Sequence, residues 1–327
     1  MTVTRQGDLS LITEQLLSWY ARHQRDLPWR QTRDPYCIWV SEIMLQQTQV
    51  ETVIPYYYRF LSRFPTVQLL AAASLDEVLK VWENMGYYAR ARNLHKAARE
   101  VNDRCGGEIP RAWNELVDLP GVGSYTAAAI LSMAFGQKAP ALDANGRRVL
   151  SRVFAIDQPL DRSRTQHQLA ELARKLLPDR DPGSFNQALM DLGSDICTPR
   201  KPLCVSCPIQ NLCQAYQQGL QNMLPVARKR SAIPHSHVTA GVIRDHRGRL
   251  LIVRRPDKGL LGGLWKFPGG TQDSNQLLQR CLSKKIRDEV GIQVRVGQLI
   301  TSVDHAFTHL RITLHAFQCT RRGGREQ

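Results

Sequence analysis

Four of the eight cysteines crowd into residues 197–213, with the spacing C-x6-C-x2-C-x5-C. Four thiolates this close along a chain can surround one metal centre, which forces the loop that carries them to fold back on itself. Zinc usually takes two close cysteine pairs, and only one CxxC is present, whereas an iron–sulfur cluster accepts looser spacing. Four unrelated thiols are the less favoured interpretation. The candidate ligands are Cys197, Cys204, Cys207 and Cys213.

The charge of the chain favours a polyanionic partner. Lys and Arg number 44 against 29 Asp and Glu, which gives a net charge of +15. Nucleic acid is such a partner, and a merely basic surface is the alternative that charge alone leaves open. The first residues lack the basic-then-apolar pattern of a signal peptide, and no apolar run is long enough to cross a bilayer. We therefore expect a cytoplasmic protein with free thiols and no membrane partner.

The length of 327 residues is enough for two domains. Residues 9–217 carry apolar residues at helical spacing between Pro and Gly breaks, and they contain no β-rich run. A basic, aperiodic stretch follows, and beyond it Val-, Ile- and Thr-rich runs indicate strands. We predict a mainly α protein: a helical domain over 1–220, a linker over 221–236 and a smaller α+β domain over 237–327. Predicted helices cover 9–23, 41–64, 74–85, 91–104, 113–119, 125–135, 164–177 and 276–290. Predicted strands cover 237–245, 248–256, 293–303 and 310–319.

The stretch LPGVGSYTA, residues 119–127, joins two of the predicted helices. Its residues Gly121, Val122 and Gly123 leave backbone N–H groups uncovered at a helix N-terminus, where a phosphate binds well. Many turns between helices contain glycine, so the hairpin alone is a moderate signal. Together with the charge and the cysteines, it predicts contact with a DNA backbone.

Several motifs together resemble the helix-hairpin-helix DNA glycosylases with an iron–sulfur cluster, the endonuclease III and MutY group. They cover about the first 215 residues in the family's order, and LQQTQV with the second domain resembles the MutY-type adenine DNA glycosylases. The resemblance implies a four-cysteine 4Fe–4S cluster and double-stranded DNA as partner. The motifs are LPW (27–29), SEIMLQQTQV (41–50), GYYARARNLHKAA (86–98), LPGVGSYTA (119–127), LDANGRRVLSRVF (142–154) and FNQALMDLG (185–193).

Glu42 is the position that the resemblance assigns to the general acid, which protonates the departing adenine and then activates water. Its neighbours at helical spacing are apolar: Ile38, Trp39 and Leu45. Such surroundings should raise the pKa of a carboxyl group and keep it protonated near neutrality. A solvated glutamate on a helix surface is the alternative interpretation.

Asp143 is the second catalytic position that the resemblance implies, as the carboxylate that stabilises the cationic sugar. Asn145 would support it by hydrogen bonding. Asp143 also follows an extended segment and precedes a helical run, so a helix-capping role remains open beside the catalytic one. The family usually reads DGNV here, and Gly146 in this chain is expected to loosen the start of the helix.

Tyr125 occupies the position where related glycosylases that also cut the strand carry a lysine. That lysine is an amine nucleophile, and a phenol cannot form the corresponding Schiff base. We therefore predict a monofunctional glycosylase, in which Tyr125 hydrogen-bonds near Asp143 or the sugar.

The resemblance also implies residues that contact DNA and extrude the base. Gln47 and Tyr87 match the positions that wedge into the duplex, and a core role for Tyr87 is the alternative. Arg90, Arg92 and Lys96 form a basic face that suits phosphates or plain solubility. Candidate residues of the base pocket are Arg25, Trp29, Arg30 and Gln187.

The second domain resembles a Nudix domain, since residues 268–292 follow the Nudix box with departures. Gln276 stands in place of a glutamate and Lys284-Lys285 in place of Arg-Glu, so magnesium binding and pyrophosphate hydrolysis should be lost. The resemblance implies a reader of oxidised guanine, with Thr308 and His309 in its contact loop. Only 18 residues follow His309, on a basic tail, so we expect this domain to be shortened at its C-terminal end.

These features predict a monomeric, nucleoid-associated base-excision enzyme that hydrolyses the N-glycosidic bond of adenine opposite 8-oxoguanine and, more weakly, opposite guanine. An endonuclease III-like glycosylase and lyase acting on oxidised pyrimidines is the alternative, against which Tyr125 argues. A nucleotide pyrophosphatase would leave the helical domain unexplained. A non-catalytic iron–sulfur DNA sensor would leave the pair of Glu42 and Asp143 unexplained.

Overall fold

The computed structural model describes residues 6–226, 233–256, 259, 261–273, 276–307 and 310–324. The chain divides into two units, Met1–Arg228 and Lys229–Gln327. The predicted mainly α fold with an α+β second part is confirmed. Thr308 and His309 lie outside the described residues. In the part of the chain that the structure covers, no helix is both long and apolar enough to cross a membrane.

The first unit consists of helices joined by short turns. Its helices are α1 Gln6–His23, α2 Pro35–Leu45, α3 Val50–Arg63, α4 Val67–Ala72, α5 Leu75–Val81, α6 Ala89–Cys105, α7 Trp113–Val117, α8 Ser124–Met133, α9 Ala144–Val153, α10 Ser163–Leu176, α11 Pro182–Asp191 and α12 Gln214–Gln217. Within the described residues, four of them begin at a side chain that caps the free N–H groups of the first turn: Asp34, Thr66, Ser74 and Asp143. Such polar residues stop one helix and start the next, which gives the bundle its sharp turns.

Two apolar clusters form the core of the first unit. One is built from residues of α2 to α8, including Trp39, Phe60 and Trp82. The other joins α1 to α9, α10 and α11, including Leu16 and Phe185. Glu42 lies on a helix of the first cluster, and Asp143 caps a helix of the second. The two candidate carboxylates therefore come from opposite halves of the unit.

The single helix predicted over 41–64 is wrong. The chain forms two helices there, α2 and α3, separated by residues 46–49. Gln47 takes a left-handed backbone conformation, with φ of 58°. The residues of this break are polar and tolerate a helix, so the interruption is imposed by contacts with the rest of the fold. Helices α4, α11 and α12 were not predicted.

The second unit is a mixed sheet with one helix against it. Its elements are β1 His235–Ile243, β2 Val253–Arg254, β3 Trp265–Lys266, β4 Gly269–Thr271, α13 Leu278–Val290, β5 Ile292–Ala306 and β6 Arg311–Gly324. The strand order is β4-β1-β6-β5, in which β1 and β6 run parallel, and β2 pairs with β3 separately. Ile243, Leu282, Ile286 and Phe317 pack between sheet and helix.

Two strand predictions need correction. The strand predicted over 248–256 is reduced to an isolated bridge at Leu250 and the two residues of β2. The strand predicted to end at residue 319 continues to Gly324, which pairs with Ile292 of β5. Arg321 to Gly324, which composition indicated as a tail, are thus the end of a paired strand.

Candidate active site

Glu42 is buried on α2, with 4% of its surface exposed. Helix α2 is fixed at its start by Asp34, whose carboxylate accepts the N–H of Tyr36 at 2.8 Å. Burial raises the pKa of Glu42 to about 7, against the opposing effect of the Tyr125 hydroxyl. Asp143 raises this pKa further through its charge. A carboxyl in these surroundings holds a proton near neutrality and can deliver it as an acid.

Asp143 lies at the N-terminus of α9, where its Oδ1 accepts the N–H of Gly146 at 2.6 Å. Burial raises the pKa of Asp143, while hydrogen bonds from Gly146 and Asn145 lower it. A Cβ at position 146 would lie 3.2 Å from Leu142 Cδ2 and 3.4 Å from Asp143 Oδ1. Glycine thus fits a closely packed, capped first turn, and the loosening of the helix start by Gly146 stays a prediction.

Tyr125 lies in the first turn of α8, where its hydroxyl interacts with Glu42 and its pKa is affected by the charge of Asp143. The hydroxyl also lies 3.7 Å from Met190 Sδ. Burial raises the pKa of Tyr125 well above its ordinary value, and the charges of Glu42 and Asp143 add to that effect. The phenol therefore keeps its proton as a hydrogen-bond donor in the site.

The extended segment before Asp143 is held by a buried amide. Asn186 accepts the N–H of Ala141 at 3.1 Å and donates to the carbonyl of Ala139 at 2.9 Å. It also donates to Ser132 Oγ on α8 at 2.9 Å. Asn186 thus fixes Asp143 relative to the helix that carries Tyr125.

Arg148 connects Asp143 to the cysteine loop. Its Nη2 donates to Asn145 Oδ1 at 2.8 Å and to Gly193 O at 2.6 Å, and its Nε donates to Cys197 O at 2.8 Å. The residue is only 7% exposed. Asn145 is therefore held between a catalytic candidate and a cation that reaches a candidate metal ligand.

The Arg148→Met variant should unfold at a clearly lower temperature, because it leaves buried carbonyl and amide oxygens without a donor. Hydrogen bonds from a charged group contribute roughly 1.5–3 kcal/mol each, so a loss of about 3 kcal/mol is expected. Thermal denaturation of the cluster-loaded protein measures it. Arg147→Met removes a neighbouring cation of the same helix and is the matched control. Equal melting temperatures for both variants would contradict this role of Arg148.

The candidate base-pocket residues make specific contacts with other residues of the first unit. Arg30 forms a two-pronged ion pair with Asp191, at 2.6 and 2.8 Å, and Arg25 reaches the same carboxylate at 3.1 Å. The charge of Arg30 lowers the pKa of Glu42, so this buried pair acts on the general-acid candidate. Trp29 is buried with its ring edge-on to Tyr57. Gln187 donates to the carbonyl of Gly183 one turn earlier on α11.

The glycine hairpin joins α7 to α8. Gly121 has φ of 79°, and a Cβ there would lie 2.8 Å from Asn93 Cβ. Both the left-handed backbone and the lack of space therefore exclude a side chain at this position. Val122 is buried and anchors the turn, whereas Gly121 and Gly123 are exposed. Gly123 precedes α8 and no side chain caps that helix, so its first N–H groups face outward. The hairpin can accept an anion there.

Gln47 and Tyr87 are both exposed, and both have a positive φ. The predicted basic face beside them is wrong at Arg90, which is buried and donates to backbone carbonyls of α2. Lys96 is exposed and lies 3.9 Å from Glu100. Arg90 is therefore a structural cation and not a surface one.

The four cysteines of the 197–213 loop surround one pocket. Arg152 lies against it, with Nη1 3.3 Å from Cys197 Sγ and 2.7 Å from Thr198 O. Among the described side chains, no three of His, Cys, Asp and Glu approach closely enough to hold a single ion. Four sulfurs around a shared pocket suit a cluster of several irons better than one zinc.

In the second unit, lysines pair with Asp273 and Glu289 of the Nudix-like segment. Lys266 pairs with Glu289 at 2.7 Å, and the N–H of Gly269 donates to the same carboxylate at 3.1 Å. Lys285 pairs with Asp273 at 3.1 Å. Ammonium groups thus lie beside these two carboxylates, and the loss of magnesium binding stays a prediction.

Family models match the chain in three segments. The HhH-GPD superfamily base excision DNA repair protein model matches residues 40–175. The iron–sulfur binding domain of endonuclease III matches residues 197–213, and a NUDIX domain model matches residues 239–327. These segments agree with the resemblances seen in the sequence.

Adenine DNA glycosylases are among the similar proteins. The one from Rattus norvegicus is 38% identical, over 97% of this chain and 72% of its own length. The one from Buchnera aphidicola subsp. Schizaphis graminum is 35% identical, over 79% of this chain and 74% of its own length. A thermostable thymine-DNA glycosylase structure is 35% identical, with a TM-score of 0.60, over 65% of this chain and 98% of that one. An endonuclease III–DNA complex, 24% identical with a TM-score of 0.57, shares the fold.

Proposed function

This chain belongs to the adenine DNA glycosylase family and is a DNA glycosylase of base excision repair with an iron–sulfur domain; from that premise, we propose that its substrate is adenine opposite 8-oxoguanine in double-stranded DNA, and more weakly adenine opposite guanine. The observation that carries the proposed chemistry is the buried Glu42, with a pKa of about 7, beside Tyr125 and Asp143. We further propose that the protein acts as a monomer in the nucleoid.

The reaction begins when the adenine leaves the base stack and enters the site. Glu42 gives its proton to the base, which makes adenine a better leaving group. The carboxylate of Asp143 faces the sugar as positive charge develops there, and it stabilises that charge in a water-poor site. Glu42, now ionised, takes a proton from the water that completes the hydrolysis.

The remaining site residues position these groups. Tyr125 donates toward Glu42, and Asn145 supports Asp143. Arg25 and Arg30, fixed by Asp191, border the base pocket with Trp29 and Gln187. The glycine hairpin holds a DNA phosphate. Gln47 and Tyr87 enter the duplex and stabilise the extruded state.

The four cysteines of the 197–213 loop would hold a 4Fe–4S cluster. When bound, the cluster supplies a structural cross-link that fixes the loop. Arg152 and Arg148 bond the backbone of that loop from α9, the helix that Asp143 caps. Loop order and the placement of Asp143 are therefore linked through this chain's own side chains.

The second unit is proposed to read the oxidised guanine and to have no hydrolase activity. The ion pairs of Lys266 with Glu289 and of Lys285 with Asp273 support this view, because they satisfy the carboxylates without metal. The contact residues would be Thr308 and His309. Single-turnover excision on duplexes with adenine opposite 8-oxoguanine, guanine and cytosine tests the proposal. A rate order with 8-oxoguanine first is expected, and equal rates would contradict it.

The pH profile of excision should reflect Glu42. Its protonated form is the reactive one, so the single-turnover rate constant should fall about tenfold per pH unit above pH 7. The raised pKa of Asp143, which must be ionised, should produce a decline on the acid side. The rate constant at saturating enzyme from pH 5 to 9 measures this. A rate that stays constant or rises above pH 7 would rule out Glu42 as the acid.

Borohydride should not trap this enzyme on DNA. Trapping requires an imine, and Tyr125 supplies no amine at the position in question. Denaturing electrophoresis after incubation with substrate and borohydride should show free protein and an unbroken abasic strand. Endonuclease III run in parallel is the positive control. Efficient cross-linking would instead favour the glycosylase and lyase alternative.

A further inference from the structure

We propose that Arg90 is a positioning residue. Its buried side chain fixes, by hydrogen bonds, the two backbone turns that present Gln47 and Tyr87 to the duplex. The inference rests on the proposed extrusion role of those two side chains. Arg90 itself is buried, with 8% of its surface exposed, and does not reach the surface that would meet DNA. Its effect on base extrusion is therefore indirect.

Arg90 joins the turn after α2 to the turn before α6. Its Nη1 donates to the carbonyls of Met44 at 2.7 Å and Gln46 at 2.5 Å. Its Nη2 donates to Thr48 Oγ1 at 3.0 Å and to the carbonyl of Gly86 at 3.4 Å. The bonded groups lie on both sides of Gln47 and directly before Tyr87. One planar guanidinium thus sets the backbone of both turns.

The helix that carries Glu42 ends at this cation. The carbonyls of Ile43 and Met44 belong to the last turn of α2, where carbonyl groups lack helical partners and carry partial negative charge. Arg90 satisfies them with a full positive charge. A lysine could keep the charge, but it could not reproduce the two-pronged, planar set of donors.

Both turns need such a constraint. Gln47 has φ of 58° and Tyr87 has φ of 50°, a left-handed conformation that is unfavourable for residues with a side chain. Conformations of this kind persist where the surroundings determine them, and they cluster at functional sites. The guanidinium carbon lies 5.1 Å from the centre of the Tyr87 ring, and the backbone N–H of Arg90 donates to the Tyr87 carbonyl at 2.8 Å.

The exposed side chains therefore stand on a strained backbone that a buried cation holds in place. Preorganisation of this kind lowers the entropy lost when the wedge, formed by the side chains of Gln47 and Tyr87, enters DNA. Without Arg90, both turns can relax, and each extrusion event must order them again. We expect the loss in base extrusion to exceed any loss in binding to undamaged DNA, where the wedge is not inserted.

The test measures extrusion apart from chemistry. In a Glu42→Gln background, 2-aminopurine placed next to the target adenine brightens when the base leaves the stack. Arg90→Met should reduce the amplitude of this change at least about fivefold, with less than a twofold change in the Kd for undamaged duplex. Arg104→Met, at the far end of the same helix, is the matched control and should retain the full amplitude.

A double-mutant cycle shows whether Arg90 acts by positioning Gln47 and Tyr87 or whether its loss damages the fold in general. Adding Arg90→Met to Gln47→Ala should reduce the amplitude little further, because both changes disable the same wedge. Arg90→Lys keeps the charge and should fall between wild type and Arg90→Met; it serves as the test if the methionine variant does not fold. Full amplitude in Arg90→Met or Arg90→Lys, while Gln47→Ala loses it, would overturn the inference. If Gln47→Ala and Tyr87→Ala both keep full amplitude, the proposed extrusion role itself fails.

Discussion

Replacing Glu42 by glutamine should abolish adenine release while leaving recognition of the mispair intact. The amide has nearly the same shape but cannot give a proton to the base. Loss of general acid catalysis costs about 100- to 10,000-fold in rate, and the second role of Glu42 as base toward water places the expected loss at the upper end. Single-turnover excision measures the rate, and fluorescence anisotropy with a duplex carrying A opposite 8-oxoguanine measures binding.

Glu51→Gln provides the matched control for this result. Glu51 is exposed in the first turn of α3 and near Glu42 in sequence. Its substitution removes one negative charge and should change the rate less than twofold. Appreciable excision by Glu42→Gln at neutral pH would mean that another group protonates the base.

Replacing Asp143 by asparagine should lower excision by about 100- to 1,000-fold, the range for losing one preorganised electrostatic group. Asparagine caps a helix as well as aspartate does, because its side-chain oxygen can still accept the N–H of Gly146. The substitution therefore removes the negative charge beside the sugar and keeps the cap. Excision kinetics and thermal denaturation of the same preparation separate the two roles.

The melting temperature of Asp143→Asn should stay close to that of the wild type. Asp143→Ala should lose the cap as well and melt lower, since caps contribute about 1 kcal/mol. If Asp143→Asn retained most of the excision rate, Asp143 would be only a cap, and the stabilising charge would have to come from elsewhere.

Local patterns in the sequence predict the fold well where they decide structure, and fail where distant contacts decide it. Apolar spacing located most helices of the first unit, and the β-branched runs located β1, β5 and β6. The break at residues 46–49 escaped prediction because its polar residues tolerate a helix. Its conformation depends on Arg90, more than forty residues away in sequence. The end of β6 escaped because Arg321 to Gly324 have a composition typical of a tail, and only pairing with β5 makes them a strand.

The candidate site was also predicted only in part, because its supporting residues depend on distant contacts. Resemblance and apolar spacing pointed to Glu42, Tyr125 and Asp143, which the fold brings together. The buried polar residues that hold them were missed: Asn186, Asp191, Arg148 and Arg152.

A signal for the burial of Arg90, which was predicted to be a surface cation, was present in the sequence. Arg90 shares the helical spacing of Leu94, Ala97 and Val101, all buried, so it falls on the apolar face of α6. A charged residue in the apolar phase of a helix indicates a buried partner, and charge alone does not reveal which one.

Release of the free base from defined duplexes tests the central claim most directly. The purified, cluster-loaded chain is incubated with a duplex carrying one adenine opposite 8-oxoguanine and, separately, with a duplex carrying thymine glycol, and the released bases are identified by mass spectrometry. We predict free adenine from the first duplex and no base from the second. Release of the oxidised pyrimidine without release of adenine would contradict the account.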